Sequence, residues 1–520
     1  MMWILLTALI PILIYFYCIK YLYYWKNRNV QQDTILNVFV ENFFMIFKRQ
    51  SAANVAKQLQ RAFPNEKCYG IMQFNTPVLV LKTPDIMKQF LIKDFDHFTD
   101  RRTMVPEDID PLWGKNVFAL KGHSWKNMRS SLSPSFTSSK IKWLFTLMKE
   151  TTEKFVDYFK NQDEIVIKLE MKDVFMRFCN DVIANTIFGV EVDSLRDKDN
   201  TFFQMSKTAF DFKSFSKFVK LFGYMMSPTL YKILGMKVFD EDVNTFFRKV
   251  IDDSVKNREE KGIIRQDMIH ILMEARKGID SSEENNVIEA TVDQTSGKLT
   301  KHFSNEDITA QALMFFFAGF ETVSTIMSFM AYELAVNTEV QNLLREEIIE
   351  TLTETGGKLT YDAIMKMKYM DMVVSESLRK WPPAIAVDRV STNPYTIDPS
   401  SSNEKPIHLE KGTVVMIPIL GIHHDPKLFP NPDRFDPERF NEENKRNIAP
   451  NSYMPFGLGP RGCMGTRYAL LEIKVIFFYL LKEFEIVPVK ETKIPIMLAN
   501  SLFDISIEGG NWLGLKRLTS

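Results

Sequence analysis

The sequence predicts a mainly α-helical protein with small β-sheets. Capping residues at 304–307 precede an apolar run that continues to Leu334, which predicts a helix of about 30 residues, roughly 45 Å long. A second helix is predicted over residues 468–484. By contrast, residues 69–73 and 77–82 are short and β-rich with a turn between them, so a hairpin is predicted there.

Composition limits the class of protein before any motif is considered. Lysine plus arginine equals aspartate plus glutamate, 65 each, so no net charge indicates a nucleic acid partner. The 42 phenylalanines fit a large apolar interior or cavity. The four cysteines, Cys18, Cys68, Cys179 and Cys463, form no C-x-x-C pair. That spacing predicts neither a zinc site nor a secreted disulfide framework.

The amino terminus predicts a membrane anchor. Residues 2–19 are apolar and uncharged, and Lys20, Lys26 and Arg28 follow them. As a helix this run would be roughly 27 Å long, enough for the thin bilayer of the endoplasmic reticulum. A basic leader and a small-residue cleavage site are both missing, which favours an uncleaved signal-anchor within residues 1–25 over a cleaved peptide. The basic residues lie on its carboxyl side, so the remaining chain is expected in the cytosol.

The most informative stretch is residues 456–465, which read FGLGPRGCMG. Glycines at this density allow positive φ angles and the close approach of a flat ligand. A thiolate at Cys463 would suit iron, and Arg461 would supply a positive charge for a carboxylate. The alternative is a glycine-rich turn around a buried cysteine that acts as a small hydrophobe. The whole frame F-x-x-G-x-R-x-C-x-G favours the ligand.

This frame resembles the haem-binding signature of the cytochrome P450 family, the haem-thiolate monooxygenases. The resemblance implies that Cys463 is the proximal ligand of haem b and that Phe456, Gly459, Arg461 and Gly465 bind the cofactor. Further family motifs lie upstream in the family's order, so the resemblance extends from residue 30 to the end. One cofactor shared by all of them implies a single, large, helical catalytic domain over residues 26–520.

Three residues outside the loop complete a predicted collar around the cofactor. Trp125 and Arg129 resemble the family's W-x-x-x-R motif. Four residues apart, they share a helix face, so an indole N–H and a guanidinium can meet the same anion. The alternative for this pair is a packed surface contact. By resemblance, Arg389 reaches a haem propionate.

A third motif, AGFET, lies in the middle of the long helix and runs from Ala318 to Thr322. A glycine, an acid and an alcohol each carry a cost in a buried helix. Ala318 and Gly319 would let the cofactor or O₂ approach closely, and Thr322 would loosen the backbone hydrogen bonding. By resemblance, Thr322 and Glu321 are the catalytic pair that relays protons. The alternative is a local kink with a solvent-facing Glu321.

A fourth motif is structural. Glu376 and Arg379 lie three residues apart on one helix face, a helix that Trp381-Pro382-Pro383 ends. Such pairs are common on surface helices. With Arg439 of the P-E-R-F motif, however, they resemble the family's buried network behind the haem. That network would hold the cysteine loop in place.

The substrate is described only by class. The pocket is predicted to include Phe118, Phe315, Ala384, Ile385, Leu502 and Phe503. The abundance of phenylalanine indicates a small lipophilic substrate, and the segment from Arg265 resembles insect family members that oxidise foreign compounds. Plant toxins and insecticides are therefore expected, with hormones and fatty acids as the alternative. The phenylalanines of residues 202–222 are either core packing or a roof that dips into the membrane.

The resemblance implies reduction of O₂ at the haem iron, insertion of one oxygen atom into the substrate and release of water. The G-x-G-x-x-G spacing of residues 457–462 belongs to the cysteine loop and not to a strand-turn-helix unit, so this chain is expected to bind neither flavin nor nicotinamide. Electrons would come from NADPH-cytochrome P450 reductase, with cytochrome b5 as a second donor, at the cytosolic face of the endoplasmic reticulum membrane. The alternatives are a haem-thiolate isomerase or dehydratase that needs no reductase, a haem sensor, and a cysteine hydrolase.

Overall fold

The computed structural model describes residues 23–32, 51–73, 76–102, 105, 107–210, 220, 223, 232–234, 237–265, 267–274, 276, 304–399, 404–501 and 504–518. The chain divides into two compact units. Unit 1 comprises residues 1–102, 375–463 and 493–509, and unit 2 comprises residues 103–374, 464–492 and 510–520. Each is described by itself.

Helices dominate the described chain. In chain order they are α1 (Ala52–Arg61), α2 (Pro84–Lys88), α3 (Pro111–Gly114), α4 (Gly122–Leu132), α5 (Ser138–Lys160), α6 (Met171–Ile183), α7 (Thr201–Phe210), α8 (Glu241–Lys261), α9 (Asn305–Val336), α10 (Thr338–Glu354), α11 (Tyr361–Ile364), α12 (Lys368–Lys380), α13 (Ile419–His423) and α14 (Thr466–Glu483).

The strands are short. They are β1 (Cys68–Gln73), β2 (Thr76–Leu81), β3 (Val166–Glu170), β4 (Val387–Val390), β5 (Tyr395–Ile397), β6 (Ile407–Leu409), β7 (Val414–Ile417), β8 (Phe484–Pro488) and β9 (Trp512–Arg517). The prediction of a mainly helical fold with small sheets is confirmed.

Unit 1 is built on a four-stranded sheet in the order β1-β2-β7-β4. The first two strands form the predicted antiparallel hairpin, with Cys68 opposite Leu81. Strand β7 runs parallel to β2 and antiparallel to β4, and it pairs Val415 with Arg389. Because the paired strands fix the backbone of β4, the position of the Arg389 side chain is set by the sheet and not by a loop.

Trp25 is completely buried in the core of unit 1, although the predicted anchor range includes it. Its indole N–H donates to the carbonyl of Ile71 over 3.0 Å. The ring covers Gly70, where an added Cβ atom would lie 2.0 Å from it. The chain around Trp25 is therefore part of the folded unit.

The apolar run at residues 2–19 lies outside the described residues. Among those described, only α9 is long and apolar enough to cross a membrane. Since 61% of its most apolar window is buried in protein, it is a core helix. The anchor stays a prediction.

Unit 2 is organised around α9, a helix of 32 residues. It begins with a complete capping box, in which Ser304 and Asp307 each accept from the other's backbone N–H. It contacts α3, α6, α8 and β8. The predicted long helix and its caps are confirmed.

Three further segments have local structure of their own. Thr83 precedes α2 in an extended conformation but makes no capping hydrogen bond with its side chain. The region after Arg101 contains the single turn α3, which Asp110 caps. A helix is present over residues 268–274. Leu502, Phe503 and most of the phenylalanine-rich stretch from residue 211 lie outside the described residues.

Replacing Gly70 with alanine is expected to destabilise the protein by about 1–3 kcal/mol, because the new methyl group would overlap the buried Trp25 ring. Urea unfolding measures the change. The second substitution Trp25→Leu removes the overlapping ring, so Gly70→Ala should cost less in that background. Equal costs in both backgrounds would show that the ring does not limit the space.

Candidate functional site

The predicted site residues fall in both units, and each group is described within its own unit. In unit 1 the loop of residues 456–463 presents Cys463 as an exposed side chain, whereas Cys68 and Cys179 are buried. The backbone N–H of Cys463 donates to the carbonyl of Phe456 over 2.9 Å, which closes the loop. Burial raises the pKa of the Cys68 thiol to about 12. Of these three cysteines, Cys463 is the one that an external ligand can reach.

Two glycines make the loop possible. Gly457 and Gly459 have φ angles of 76° and 71°, in the region that favours glycine. At Gly459 an added Cβ would also lie 1.9 Å from the carbonyl oxygen of Leu91. The predicted need for positive φ therefore holds at these two positions. Gly465 has an ordinary φ of −81° and caps α14, so its backbone conformation does not require glycine.

A cluster of arginines accompanies the loop in unit 1. The Nε of Arg461 donates to the carbonyl of Thr99 over 2.8 Å. An Nη of Arg101 donates to the carbonyl of Arg461 over 3.1 Å. Arg389 is 1% exposed and donates from Nη1 to the carbonyl of Asp388 over 2.6 Å. Burial, and then the charge of Arg101, lowers the pKa of Arg389 to about 9.

This cluster suits an anion. Within the part of the chain that the structure describes, the buried Nε of Arg389 has no hydrogen-bond partner. The Asp388 carboxylate instead accepts from the backbone N–H of Arg102 over 2.9 Å. A buried guanidinium without a carboxylate is costly unless an anion binds. The haem propionates expected from the sequence fit that requirement.

Arg101 was missed by the motif analysis. It lies in a stretch without periodicity, and the only local signal is the basic pair Arg101-Arg102. Its link to Arg461 spans 360 residues, and its effect on Arg389 is electrostatic. Only the fold brings these three cations together.

Two of the three side chains of the structural motif of unit 1 are completely buried. Glu376 and Arg379 are both 0% exposed, and two parallel hydrogen bonds of 2.7 and 2.8 Å join them. The Nε of Arg439 lies 3.5 Å from Glu376, which also accepts from the backbone N–H of Asp436 over 3.0 Å. Arg379 donates further to the carbonyl of His423 over 2.9 Å. The three predicted side chains are thus in contact.

His423 extends this network toward the cysteine loop, a role that the motifs did not indicate. Its Nδ1 lies 3.1 Å from the carbonyl of Arg379, which can only accept, so Nδ1 carries the proton. Its Nε2 accepts from the backbone N–H of Met454 over 3.0 Å. Met454 in turn accepts from the N–H of Gly457 over 3.0 Å. A neutral imidazole in one tautomer therefore joins α12 to the start of the loop.

In unit 2 the central part of α9 is accessible. The helix is buried before and after it, but Met314, Phe315, Phe317, Ala318, Gly319, Glu321 and Thr322 are partly or fully exposed. The Thr322 hydroxyl donates to the carbonyl of Ala318. Ser324 and Thr325 donate in the same way to Phe320 and Glu321 over 2.5 and 2.7 Å. Such bonds compete with the backbone ladder, as predicted for Thr322.

Gly319 has an additional reason to be glycine. An added Cβ would lie 2.8 Å from the Cδ1 atom of Ile183 on α6. The absent side chain thus permits close packing of α6 against α9. The close approach of a cofactor or O₂ at this position stays a prediction.

The other predicted residues have the following environments. Trp125 is buried and Arg129 half-buried on α4, as their spacing predicted. Phe118 is exposed, and the ring of Phe315 lies 5.4 Å from that of Phe136. In unit 1, Ala384 is half-buried, while Ile385 is buried and accepts from the N–H of Leu420 over 3.0 Å. Their roles in substrate binding stay predictions.

The neutral imidazole of His423 predicts acid sensitivity. Burial, followed by the charge of Arg379, lowers the pKa of His423 to about 3. Because the folded pKa is below that of an unfolded histidine, about 6.5, the stabilisation is present above that value. It is lost as the pH falls toward 3.

His423→Phe leaves the Met454 N–H and the Arg379 carbonyl unsatisfied, at about 1–3 kcal/mol for each group. It should also reduce the loss of stability between pH 6.5 and the acid limit. Denaturant unfolding at several pH values tests both effects. His408→Phe serves as the matched control, because this exposed histidine contacts Thr396 and lies outside the buried network. If His423→Phe lost as much stability at low pH as the wild-type protein, the neutral state of the His423 imidazole would be contradicted.

Comparisons with known proteins agree with this geometry. The family model for cytochrome P450 matches residues 34–509. Cytochrome P450 9e2 of Blattella germanica is 43% identical over 493 residues, covering 92% of this chain and 90% of that protein. Probable cytochrome P450 9f2 of Drosophila melanogaster is 41% identical over 504 residues, covering 95% and 94%. Cytochrome P450 6k1 of Blattella germanica is 34% identical over 497 residues, covering 95% and 93%.

These matches confirm the family that the motifs predicted. The most similar of these relatives are insect proteins, as expected from the segment after Arg265. An exposed thiol in a glycine loop, and a buried arginine without a carboxylate partner among the described residues, fit a thiolate-bound haem that carries propionates. The chain therefore belongs to the cytochrome P450 family and is an oxidoreductase, a haem-containing monooxygenase.

Proposed function

We propose that this enzyme inserts one oxygen atom from O₂ into small lipophilic foreign compounds, such as plant toxins and insecticides. Its similarity to insect members of the family supports this class of substrate. The 42 phenylalanines and the accessible Phe118 and Phe315 fit an apolar ligand.

Haem b is the proposed cofactor, with Cys463 as its ligand. When bound, it supplies the site at which O₂ is reduced and oxygen is transferred. The observation that carries this assignment is the combination, within unit 1, of the exposed Cys463 and the buried cluster of Arg389, Arg101 and Arg461. Thiolate ligation suits oxygen activation, and guanidinium groups bind carboxylates in a fixed geometry. Trp125 and Arg129 remain the cofactor-binding residues that the W-x-x-x-R motif predicts.

Glu321 and Thr322 are the proposed proton donors. Both side chains are accessible in the middle of an otherwise buried helix, which is where polar groups are retained for function. A positioned acid can exchange protons with water and with a reacting oxygen atom. One oxygen atom enters the substrate, and the protons leave with the other as water.

The proposed surroundings are the endoplasmic reticulum membrane and a reductase. The apolar run at residues 2–19, with basic residues after it, supports an anchor that leaves the catalytic part in the cytosol. The G-x-G-x-x-G spacing of residues 457–462 lies in the cysteine loop and does not follow a strand, so NADPH-cytochrome P450 reductase is the proposed electron source, with cytochrome b5 as an auxiliary donor. The proposed haem is thus bound by this chain, whereas its electrons come from a separate protein.

The reduced, carbon monoxide-bound absorption spectrum tests the ligand. The wild-type protein should show the band of thiolate-ligated haem, and Cys463→Ala should lose it. Cys68→Ala is the matched control, because this buried thiol belongs to the same unit and should leave the band unchanged. If the band persists in Cys463→Ala, the ligand is another residue.

Turnover tests the reaction class. Product formation should require NADPH and the reductase, whereas a peroxide isomerase would work without either. Lipophilic foreign compounds should also shift the haem absorption when they bind. Activity without any electron donor would contradict the monooxygenase assignment for this chain.

Breaking the buried pair of unit 1 should prevent haem loading. Glu376→Ala or Arg379→Ala leaves an unpaired buried charge, at a cost of about 3–5 kcal/mol. We expect no haem-loaded protein in either case, measured as the ratio of haem to protein absorbance. Lys67→Ala removes a partly exposed ion pair with Glu404, 2.8 Å long, and should load haem normally. A normal haem spectrum in the Arg379 variant would refute the structural role.

A further inference from the structure

Lys172 of unit 2 makes an unusual set of contacts for a lysine. Its Nζ lies 3.0 Å from a carboxylate oxygen of Glu321. It also donates to the main-chain carbonyl of Glu321 over 3.1 Å, to the hydroxyl of Ser324 over 2.8 Å and to that of Thr325 over 2.7 Å. Four oxygen atoms on one segment of α9 therefore surround a group that has three N–H donors.

These contacts are more numerous and more buried than those of a surface ion pair. The two charged side chains are each 22% exposed. An ordinary surface pair of the same unit, Lys154 with Glu191, is 67% and 70% exposed and 3.7 Å apart. Exposed pairs of that kind contribute little. Lys172 is instead held by several oxygen atoms at once.

The hydrogen-bond directions on α9 favour this arrangement. Ser324 and Thr325 give their hydroxyl protons to the carbonyls of Phe320 and Glu321. Because each hydroxyl has one proton, both oxygens can act only as acceptors toward Lys172. The ammonium group therefore has a defined place beside Glu321.

The α6 side is equally well ordered. Lys172 lies in the first turn of α6, which Glu170 caps by accepting from the N–H of Asp173 over 2.7 Å. Asp173, the other acid on this turn, pairs with Arg177 over 2.8 Å. Asp173, the nearest acid on α6, thus already has a partner. Lys172 pairs with Glu321 on α9 instead.

We propose that Lys172 is a positioning residue, which holds the Glu321 carboxylate at the water-accessible end of the proton relay. This inference rests on the proposed proton role of Glu321. A carboxylate that repeatedly gives a proton and takes another from water needs a fixed position and partial access to solvent. Lys172 provides the first by its charge and its bonds to Ser324 and Thr325. The 22% exposure of both side chains provides the second.

The test compares two ways of driving the same reaction in the full-length, haem-loaded enzyme. With reductase, NADPH and O₂, dealkylation of 7-ethoxycoumarin requires delivered protons. With cumene hydroperoxide, the oxidant supplies both the oxygen atom and the oxidising equivalents, so neither NADPH nor the relay is needed. Lys172→Gln removes the charge but keeps N–H donors for Ser324 and Thr325.

In Lys172→Gln we expect product per NADPH consumed to fall about ten-fold, which is part of the roughly 10²–10⁴-fold that proton transfer contributes, because Glu321 itself is kept. Hydrogen peroxide should carry away the electrons instead. The hydroperoxide-driven rate should stay at the wild-type level. Lys172→Arg keeps the charge and should recover most of the coupling. Lys168→Gln is the matched control, because it removes an exposed pair with Glu491, 2.9 Å long, and leaves α9 untouched.

The outcomes separate this inference from the proposed function. Wild-type enzyme without turnover in both assays would overturn the proposed oxidation of lipophilic foreign compounds, the class that 7-ethoxycoumarin represents. Active wild-type enzyme, with Lys172→Gln unchanged in both assays or equally reduced in both, would overturn the positioning role, because a purely structural contact does not distinguish the two oxidants.

Discussion

The buried pair of Glu376 and Arg379 is the interaction on which the organisation of unit 1 depends. With both side chains at 0% exposure, neither charge can be satisfied by water. The guanidinium therefore binds the carboxylate twice and uses its remaining donors on the carbonyls of His423 and Pro432. A buried ion pair contributes little net stability, but it strictly limits the arrangements that leave no charge unpaired. The chain segments that supply those carbonyls are thereby fixed to α12.

His423 carries this constraint to the glycine loop. Its position between the Arg379 carbonyl and the Met454 N–H admits one tautomer of a neutral ring. The loop after Met454 then needs positive φ at Gly457 and Gly459 before it reaches Cys463. Hydrogen bonds and the backbone between them thus connect a charged pair to the proposed iron ligand. The direction of each bond is determined by which atom can donate.

Unit 1 and unit 2 each hold charged groups that the proposed chemistry would use. Arg389 is buried without a carboxylate partner among the described residues, so that cluster is suited to an anion. On α9, hydroxyl groups occupy the backbone carbonyls, and Lys172 binds the oxygens that they present. The described part of unit 1 leaves the charge of Arg389 without a carboxylate partner, and Lys172 holds the Glu321 carboxylate in one place. Preorganised catalytic environments hold charged groups in these ways.

The sequence by itself determined the elements and pairings that depend on short separations. Capping residues and an apolar run located α9, and β-rich segments on either side of a turn located the β1–β2 hairpin. Spacings of three or four residues placed Glu376 with Arg379 and Trp125 with Arg129. The motif order also identified the family. These signals are local because a helix or strand repeats over a few residues.

Only the tertiary structure decided which distant residues meet. Arg101 reaches Arg461 across 360 positions, Lys172 reaches Glu321 across 149, and Trp25 covers Gly70 although its sequence context resembles the anchor. Neither periodicity nor spacing encodes such contacts, since they depend on how separate helices and strands pack. The tautomer of His423 and the packing reason for Gly319 belong to the same class, because each is defined by an atom from a remote segment.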